Sequence, residues 1–170
     1  MEFQLVSSFE DYRTEKILQG YTSSFPAEER RDDTKFRNLF ENPNVNIFSI
    51  LEDQHHKGYL ITWHLSQGLF LEHFEIYDDF RGQNLGSKVL TELHKIYPKI
   101  ILESEPSDLN DIAARRIDFY KRNSFAVVDE AYVQPSYGEG KPSLNLYLLT
   151  SFPCENLDLL KEEIWDTVYH

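Results

Sequence analysis

The order of elements between Leu69 and Arg122 constrains the fold more than any other feature of this chain. The stretch Leu69 to Tyr77 reads as a strand. Gly86 to Tyr97 then places Val89, Leu90, Leu93, Ile96 and Tyr97 on one side of a helix, which Pro98 stops. Lys99 to Glu103, with Ile100, Ile101 and Leu102, reads as a buried strand. A second helix is expected from a cap at Asp108 to about Arg122, because Ala113, Ile117 and Tyr120 recur at helical spacing. A helix that carries the crossover makes the two strands parallel.

The flanks supply antiparallel strands. Phe3 to Val6 is a short strand, and Ser8 precedes a helical stretch through about Gln19. Pro26 stands where helices start, with Glu28 and Glu29 in the first turn, where the helix dipole favours acids; that helix should end near Asn42-Pro43. Val45 to Leu51, Gly58 to Leu65 and Leu69 to Tyr77 form a meander, with turns at His55-His56 and Gln67-Gly68. Ser124 to Tyr132 and Ser143 to Thr150 pair at the end, joined by Gln134 to Pro142, and a last helix covers about 155–168. The expected architecture is a mixed α/β sheet with helices on both faces. No linker or repeat divides the chain, and 170 residues at 41% hydrophobic suit a single domain over 1–170.

Charge narrows the partners. With 17 basic and 29 acidic residues the net charge is −12, which argues against binding nucleic acid or an anionic membrane and is compatible with a cationic substrate. Cys154 is alone, so there is no internal disulfide and no cysteine cluster for a metal. His55-His56 lacks further ligands at suitable spacing, and no metal is expected. The start, Met1-Glu2-Phe3-Gln4, does not read as a signal peptide, and no apolar run approaches the roughly 20 residues of a membrane span. A cytoplasmic protein is the expectation.

Chemistry centres on Arg81-Gly82-Gln83-Asn84-Leu85-Gly86-Ser87, between a strand and a helix. A loop there can turn backbone N–H groups toward a phosphate, helped by the positive end of the helix. The P-loop pattern fails, because three residues separate Gly82 and Gly86 and Ser87-Lys88 is reversed; the dinucleotide fingerprint is absent as well. The loop resembles the signature of the GNAT superfamily of acyl-CoA-dependent N-acyltransferases: Arg or Gln, two residues, Gly, one residue, then Gly or Ala. Arg81, Asn84 and Gly86 take the signature positions, with Asn84 where glycine is usual. The entry Phe74 through Asp78-Asp79-Phe80 is similar to the family's. A second block, Arg115 to Phe125, resembles the family helix that ends in Tyr before a Gly-Phe pair, with Ser124 in place of Gly. Asn110 is similar to the family's helix-start Asn. The stretches Ser24 to Arg30 and Tyr132 to Tyr137 resemble a small bacterial subgroup with no known substrate.

This resemblance implies a GNAT-like, mostly antiparallel twisted sheet of about seven strands and acetyl-CoA as co-substrate. Arg81, Gly82, Gln83, Asn84, Leu85, Gly86 and Ser87 would bind its pyrophosphate, with Phe74 and Ile76 offering strand backbone to the pantetheine arm. The expected reaction is acetyl transfer to a primary amine by direct attack in a ternary complex, with no protein nucleophile; Cys154 lies outside both blocks. Glu72, expected to share a strand face with Phe70 and Phe74, is the candidate base, and Glu75 is expected to face the other way. Tyr120 is the candidate acid. Tyr132, Gln134 and Tyr137 are expected to line the acceptor pocket. The acceptor would be a small-molecule or peptide amine and the protein a monomer or homodimer. The alternative is a catalytically silent acyl-CoA-binding or sensor module, motivated by Asn84 and Ser124.

Overall fold

The apolar runs pair into one sheet in the computed structural model, which describes residues 1–170. Its strands are β1 (Glu2–Leu5), β2 (Val45–Glu52), β3 (His55–Leu65), β4 (Gly68–Ile76), β5 (Ile100–Ser104), β6 (Ala126–Gln134) and β7 (Leu144–Thr150). They lie in the order β1-β2-β3-β4-β5-β7-β6. Every neighbouring pair is antiparallel except β4 and β5, which are parallel as the helical crossover requires.

Five helices cover the sheet: α1 (Thr14–Ser24), α2 (Asp33–Asn38), α3 (Leu85–Ile96), α4 (Asp111–Arg122) and α5 (Leu157–Val168). Ile17 and Tyr21 of α1, Phe36 of α2, and Leu160 and Ile164 of α5 pack with Tyr59, Ile61, Trp63 and Phe70 on one face. Val89, Leu90 and Leu93 of α3 and Ile117 of α4 pack with Leu60, Leu69 and Leu71 on the other. No helix is long and apolar enough to cross a membrane.

Several expectations shift, each for a local reason. His55 and His56 open β3 and do not form the turn; Asp53 and Gln54 turn instead, with φ of 50° and 63°, in a two-residue hairpin. The helix expected from Pro26 is a single 3-10 turn, Ala27–Glu29. The chain then runs extended, because Arg31 turns inward to a buried partner, and Asp32 caps α2 by accepting from the Lys35 backbone N–H. Helix α1 starts at Thr14, after a turn at Ser8 to Asp11. Asn110, not Asp108, caps α4, its Oδ1 accepting from the N–H groups of Ile112 and Ala113 at 2.9 Å each.

A bulge in β4 changes the face on which side chains point. Ile61 pairs with His73 while the next residue, Thr62, pairs with Leu71, so Glu72 is the extra residue. The alternation therefore slips by one. Phe70 belongs to the α1/α5 core, whereas Phe74 packs against the α3/α4 core. The expected shared face of Phe70, Glu72 and Phe74 is thus corrected: Glu72 and Glu75 both turn toward α1 and the 3-10 turn, and Phe74 and Ile76 turn away.

Helix α4 ends in a Schellman motif. The Phe125 N–H donates to Tyr120 O at 3.1 Å and the Ser124 N–H to Lys121 O at 3.2 Å, with the Phe125 ring edge-on to Tyr120. Ser124 sits at the position that favours glycine, with φ of 70°. A Cβ there costs about 1 kcal/mol. Ser124→Gly should therefore raise the unfolding free energy by about 1 kcal/mol, measured by urea titration with an unchanged m-value.

Candidate active site

Parallel pairing of β4 with β5 stops after three residues, Leu69–Leu71 against Ile100–Leu102. Beyond that point the strands part around a cleft of about 550 Å³. The Tyr77 N–H donates to Lys57 O on the β3 side. Since backbone direction alternates along a strand, the groups of Phe74 and Ile76 face the gap. Ile76 O accepts there from Arg81 Nε at 2.9 Å. The open edge is thus the one the sequence assigned to Phe74 and Ile76.

Glu72 lies on the wall of the cleft, but its carboxylate is committed elsewhere. Its side chain is 1% exposed and is ion-paired with the Arg31 guanidinium, itself 7% exposed. Trp63 Nε1 donates to Oε2 at 2.7 Å and the Tyr137 hydroxyl to Oε1 at 3.0 Å. Burial would raise the Glu72 pKa, but the Arg31 charge, the neighbouring His73 ring and the indole N–H outweigh it and hold the pKa at about 2. A carboxylate so stabilised is a weak base. Arg31 is completed by a 2.6 Å bond from Nη2 to Val168 O and by the rings of Trp63 and Tyr137, with centroids 5.2 and 5.0 Å from its guanidinium carbon.

Glu103 faces the cleft from β5, and its surroundings act in the opposite direction. Burial raises its pKa above that of an ordinary glutamate, a shift partly offset by donors. Those are the hydroxyls of Tyr132 at 2.5 Å and Tyr169 at 2.6 Å and Gln134 Nε2 at 2.7 Å. Sequence reasoning saw Glu103 only as the end of a buried strand. It also missed Arg31, Trp63 and Tyr169, which are distant in the chain and carry no motif.

The predicted acceptor residues divide. Gln134 and Tyr137 line the cleft. Tyr132 does not: it is 1% exposed and packed in the α1/α5 core, where its hydroxyl serves Glu103. Glu75 also lines the cleft, with Oε1 accepting from Ser24 Oγ at 2.6 Å. Its Oε2 lies where a Cβ on Gly20 would approach to 2.6 Å, so only glycine lets α1 pass this close. Tyr120 lines the cleft from α4 with a hydroxyl that has no hydrogen bond to the protein. Burial raises its pKa, opposed by the nearby Arg116, so it stays protonated through neutral pH.

A second groove of about 410 Å³ starts where the cleft ends, Ile76 and Arg81 bordering both. It is lined by Gly82, Asn84, Leu85, Gly86 and Ser87, with Phe119 and Arg122 from α4; Gln83 is not among its walls. Asn84 takes the left-handed conformation, φ 58° and ψ 17°, so the backbone turns as glycine would turn it. The N–H groups of Leu85, Gly86 and Ser87 are left free at the start of α3, and Arg122 adds a positive charge. This is a fitting cradle for a pyrophosphate. A Cβ on Gly86 would meet the Phe119 ring at 3.1 Å, so the ring would have to give by a few tenths of an ångström to admit one, and glycine lets α4 lie close against the groove. Arg81 is held back by Asp78 at 2.6 Å and by Ile76 O.

No family model matches the chain. YjbC of Bacillus subtilis (strain 168), which carries the provisional name of an acetyltransferase, is 31% identical over 102 residues, 59% of this chain and 52% of that protein. The chain thus spans about half the length of this curated relative. A Bacteroides thetaiotaomicron structure, provisionally named an acetyltransferase of the GNAT family, superposes with a TM-score of 0.92 at 26% identity, covering 99% of this chain and 98% of that one. A GNAT acetyltransferase of Elizabethkingia anophelis, solved with acetyl-CoA bound, shares the fold at a TM-score of 0.50 and 14% identity over 70% of this chain and 82% of its own. The seven-stranded sheet and five helices are the GNAT fold.

The buried pair yields a stability prediction. Glu72→Gln leaves the Arg31 charge without a counter-ion, and breaking one side of such a pair costs about 3–5 kcal/mol. Chemical unfolding of the variant should show a loss of that size. A loss under about 1 kcal/mol would mean that the pair does not hold the cleft together.

Proposed function

We propose that this chain, a member of the GNAT family, transfers the acetyl group of acetyl-CoA to a primary amine by direct attack in a ternary complex. The observation that carries this reading is the continuity of the open β4 edge with the groove at the start of α3. One line runs from a phosphate cradle, past the strand edge at Phe74 and Ile76 that β5 leaves uncovered, to a cleft holding Glu103 and Tyr120.

Asn84, Leu85, Gly86 and Ser87 would hold the pyrophosphate and Arg122 would add charge, while the Phe74 and Ile76 main chain would pair with the amide-bearing arm. Acetyl-CoA, when bound, supplies a thioester, an acyl group already activated toward amines. Glu103 takes the proton that the acceptor must lose, because a primary ammonium has a pKa of about 10.4 and only the neutral amine is nucleophilic. Tyr120 gives its proton to the departing sulfur. Glu72 acts through position: anchored by Arg31, it fixes the bulge, and its main chain, left unpaired there, is what the cleft meets. These roles replace the assignment of Glu72 as base.

The silent-module reading loses its motive. Asn84 and Ser124 both hold the left-handed backbone that glycine would supply, so neither substitution deforms the loop or the α4 terminus.

Thiol release from acetyl-CoA across a panel of amines tests the function; tight CoA binding with no release for any amine would sink it. Glu103→Gln should lower kcat by about 10²-fold or more and leave CoA binding by calorimetry unchanged. The acidic limb of the kcat profile needs Glu103 ionised. The rate should therefore rise with pH through a pKa above that of ordinary glutamate, and this limb should vanish in Glu103→Gln. Tyr120→Phe should also lower kcat by about 10²-fold with little change in the acceptor KM.

A further inference from the structure

We infer that the acceptor is a small aliphatic diamine or polyamine, one nitrogen facing Glu103 and a second, charged nitrogen held between Glu29 and Glu105. The inference rests on the transfer reaction proposed above and specifies its acceptor.

Charge comes first. Glu29, Glu103 and Glu105 line the same cleft. Glu105 follows Glu103 by two positions, a rise of roughly 7 Å along an extended chain. Glu29 comes from the opposite wall, where its backbone oxygen lies 3.1 Å from His73 Nε2. Burial first, and then the Glu105 charge, raise the Glu29 pKa, while Arg116 and His73 oppose them. Arg116 Nη1 neutralises Glu105 at 2.7 Å, and the Glu29 carboxylate has neither a hydrogen bond nor an ion pair. Glu29 is therefore left without an ion-pair partner, in a cleft where the roughly 7 Å rise from Glu103 to Glu105 matches a four- or five-carbon chain.

An independent observation points to a ligand that donates hydrogen bonds. Gln134 is 5% exposed and lines the cleft, yet its Oε1 has no partner. The amide cannot be turned to relieve this. Its Nε2 donates to Glu103 Oε2 at 2.7 Å and to the Tyr169 hydroxyl at 2.9 Å, and that hydroxyl already spends its proton on Glu103. A buried acceptor beside the base, with no protein donor, suits the remaining N–H of an attacking amine.

Enclosure favours a small acceptor over a protein chain. The segment between α1 and α2 is tied to the β6–β7 connection by Lys35 Nζ on Tyr137 O at 2.8 Å and by Lys141 Nζ on Arg30 O. Phe25 packs edge-on to His73 at 4.5 Å and lines the cleft, an apolar surface for methylenes. In the reaction Glu103 takes one proton from the ammonium, the neutral nitrogen forms the C–N bond as the C–S bond breaks, Tyr120 protonates the departing sulfur and is restored by the second proton the nitrogen sheds, and the distal ammonium is unchanged.

Steady-state thiol release with acetyl-CoA should compare 1,4-diaminobutane, 1,5-diaminopentane and spermidine with n-butylamine, n-pentylamine and a lysine-containing basic peptide. A charged hydrogen-bonded contact is worth enough to give the diamines about tenfold or more in kcat/KM over the monoamines. Glu29→Gln should bring that ratio close to one. A monoamine equal to its diamine, a preference for the peptide, or a Glu29→Gln variant that keeps the full ratio would overturn the inference. If no amine is turned over, the transfer reading fails separately. Calorimetry on the CoA-loaded protein then decides: binding of 1,4-diaminobutane that Glu29→Gln abolishes supports the assignment, and absence of binding refutes it.

Discussion

A single guanidinium holds the centre of this molecule. Arg31 comes from the segment between α1 and α2, Glu72 from the bulge of β4, Trp63 from β3, Tyr137 from the β6–β7 connection and the accepting carbonyl of Val168 from α5. Five stretches of chain converge on one buried ion pair. Desolvating both charges is expensive, and the pair is supported by the Trp63 and Tyr137 donors on Glu72 and by the Val168 carbonyl on Arg31. What it secures is position: the α1/α5 face cannot close over the sheet without setting the bulge, and the bulge sets the wall of the cleft.

The two glutamates beside the opening between β4 and β5 show how surroundings divide the work between like groups. Glu72 meets a full positive charge and is held ionised at about 2. Glu103 meets only neutral donors in a buried place, and its pKa rises. A carboxylate fixed by a cation is a structural anion, and one met by hydroxyls and an amide in a buried place holds a proton more readily than an ordinary glutamate. Tyr132, Gln134 and Tyr169 therefore bear on the chemistry by setting the basicity of Glu103.

Much of the fold was legible because it is written in local patterns. The parallel β4–β5 pair followed from helical spacing between two apolar strands, and the cradle from Gly82, Asn84 and Gly86 at the start of a helix. The placement of candidate residues was legible only where it follows such patterns, as in Tyr120, Phe74 and Ile76 lining one cleft. Glu72 was misread because an alternation argument assumes an unbroken ladder, and no residue in Leu71-Glu72-His73 announces a bulge. The helix expected from Pro26 was lost to Arg31, whose partner lies 41 positions away. Tyr132, at the end of an expected strand, read as a pocket residue because its partner Glu103 is 29 positions distant. Contacts of that range leave no trace in a window of neighbouring residues.

The slipped ladder at Glu72 has a consequence for how this chain tolerates change. A substitution alters one side chain and leaves the rest of β4 in place. Removing Glu72 would restore a regular ladder and leave His73, Phe74, Glu75 and Ile76 on the faces they now occupy, but it would strip Arg31 of its buried partner. A residue added to or removed from the regularly paired part of β4 would instead act in space as a frameshift acts in a coding sequence, with the residue types beyond it retained and facing the wrong way. The length of β4 is thus as much a specification as its composition, and variation in this strand should be confined to identity and never to count.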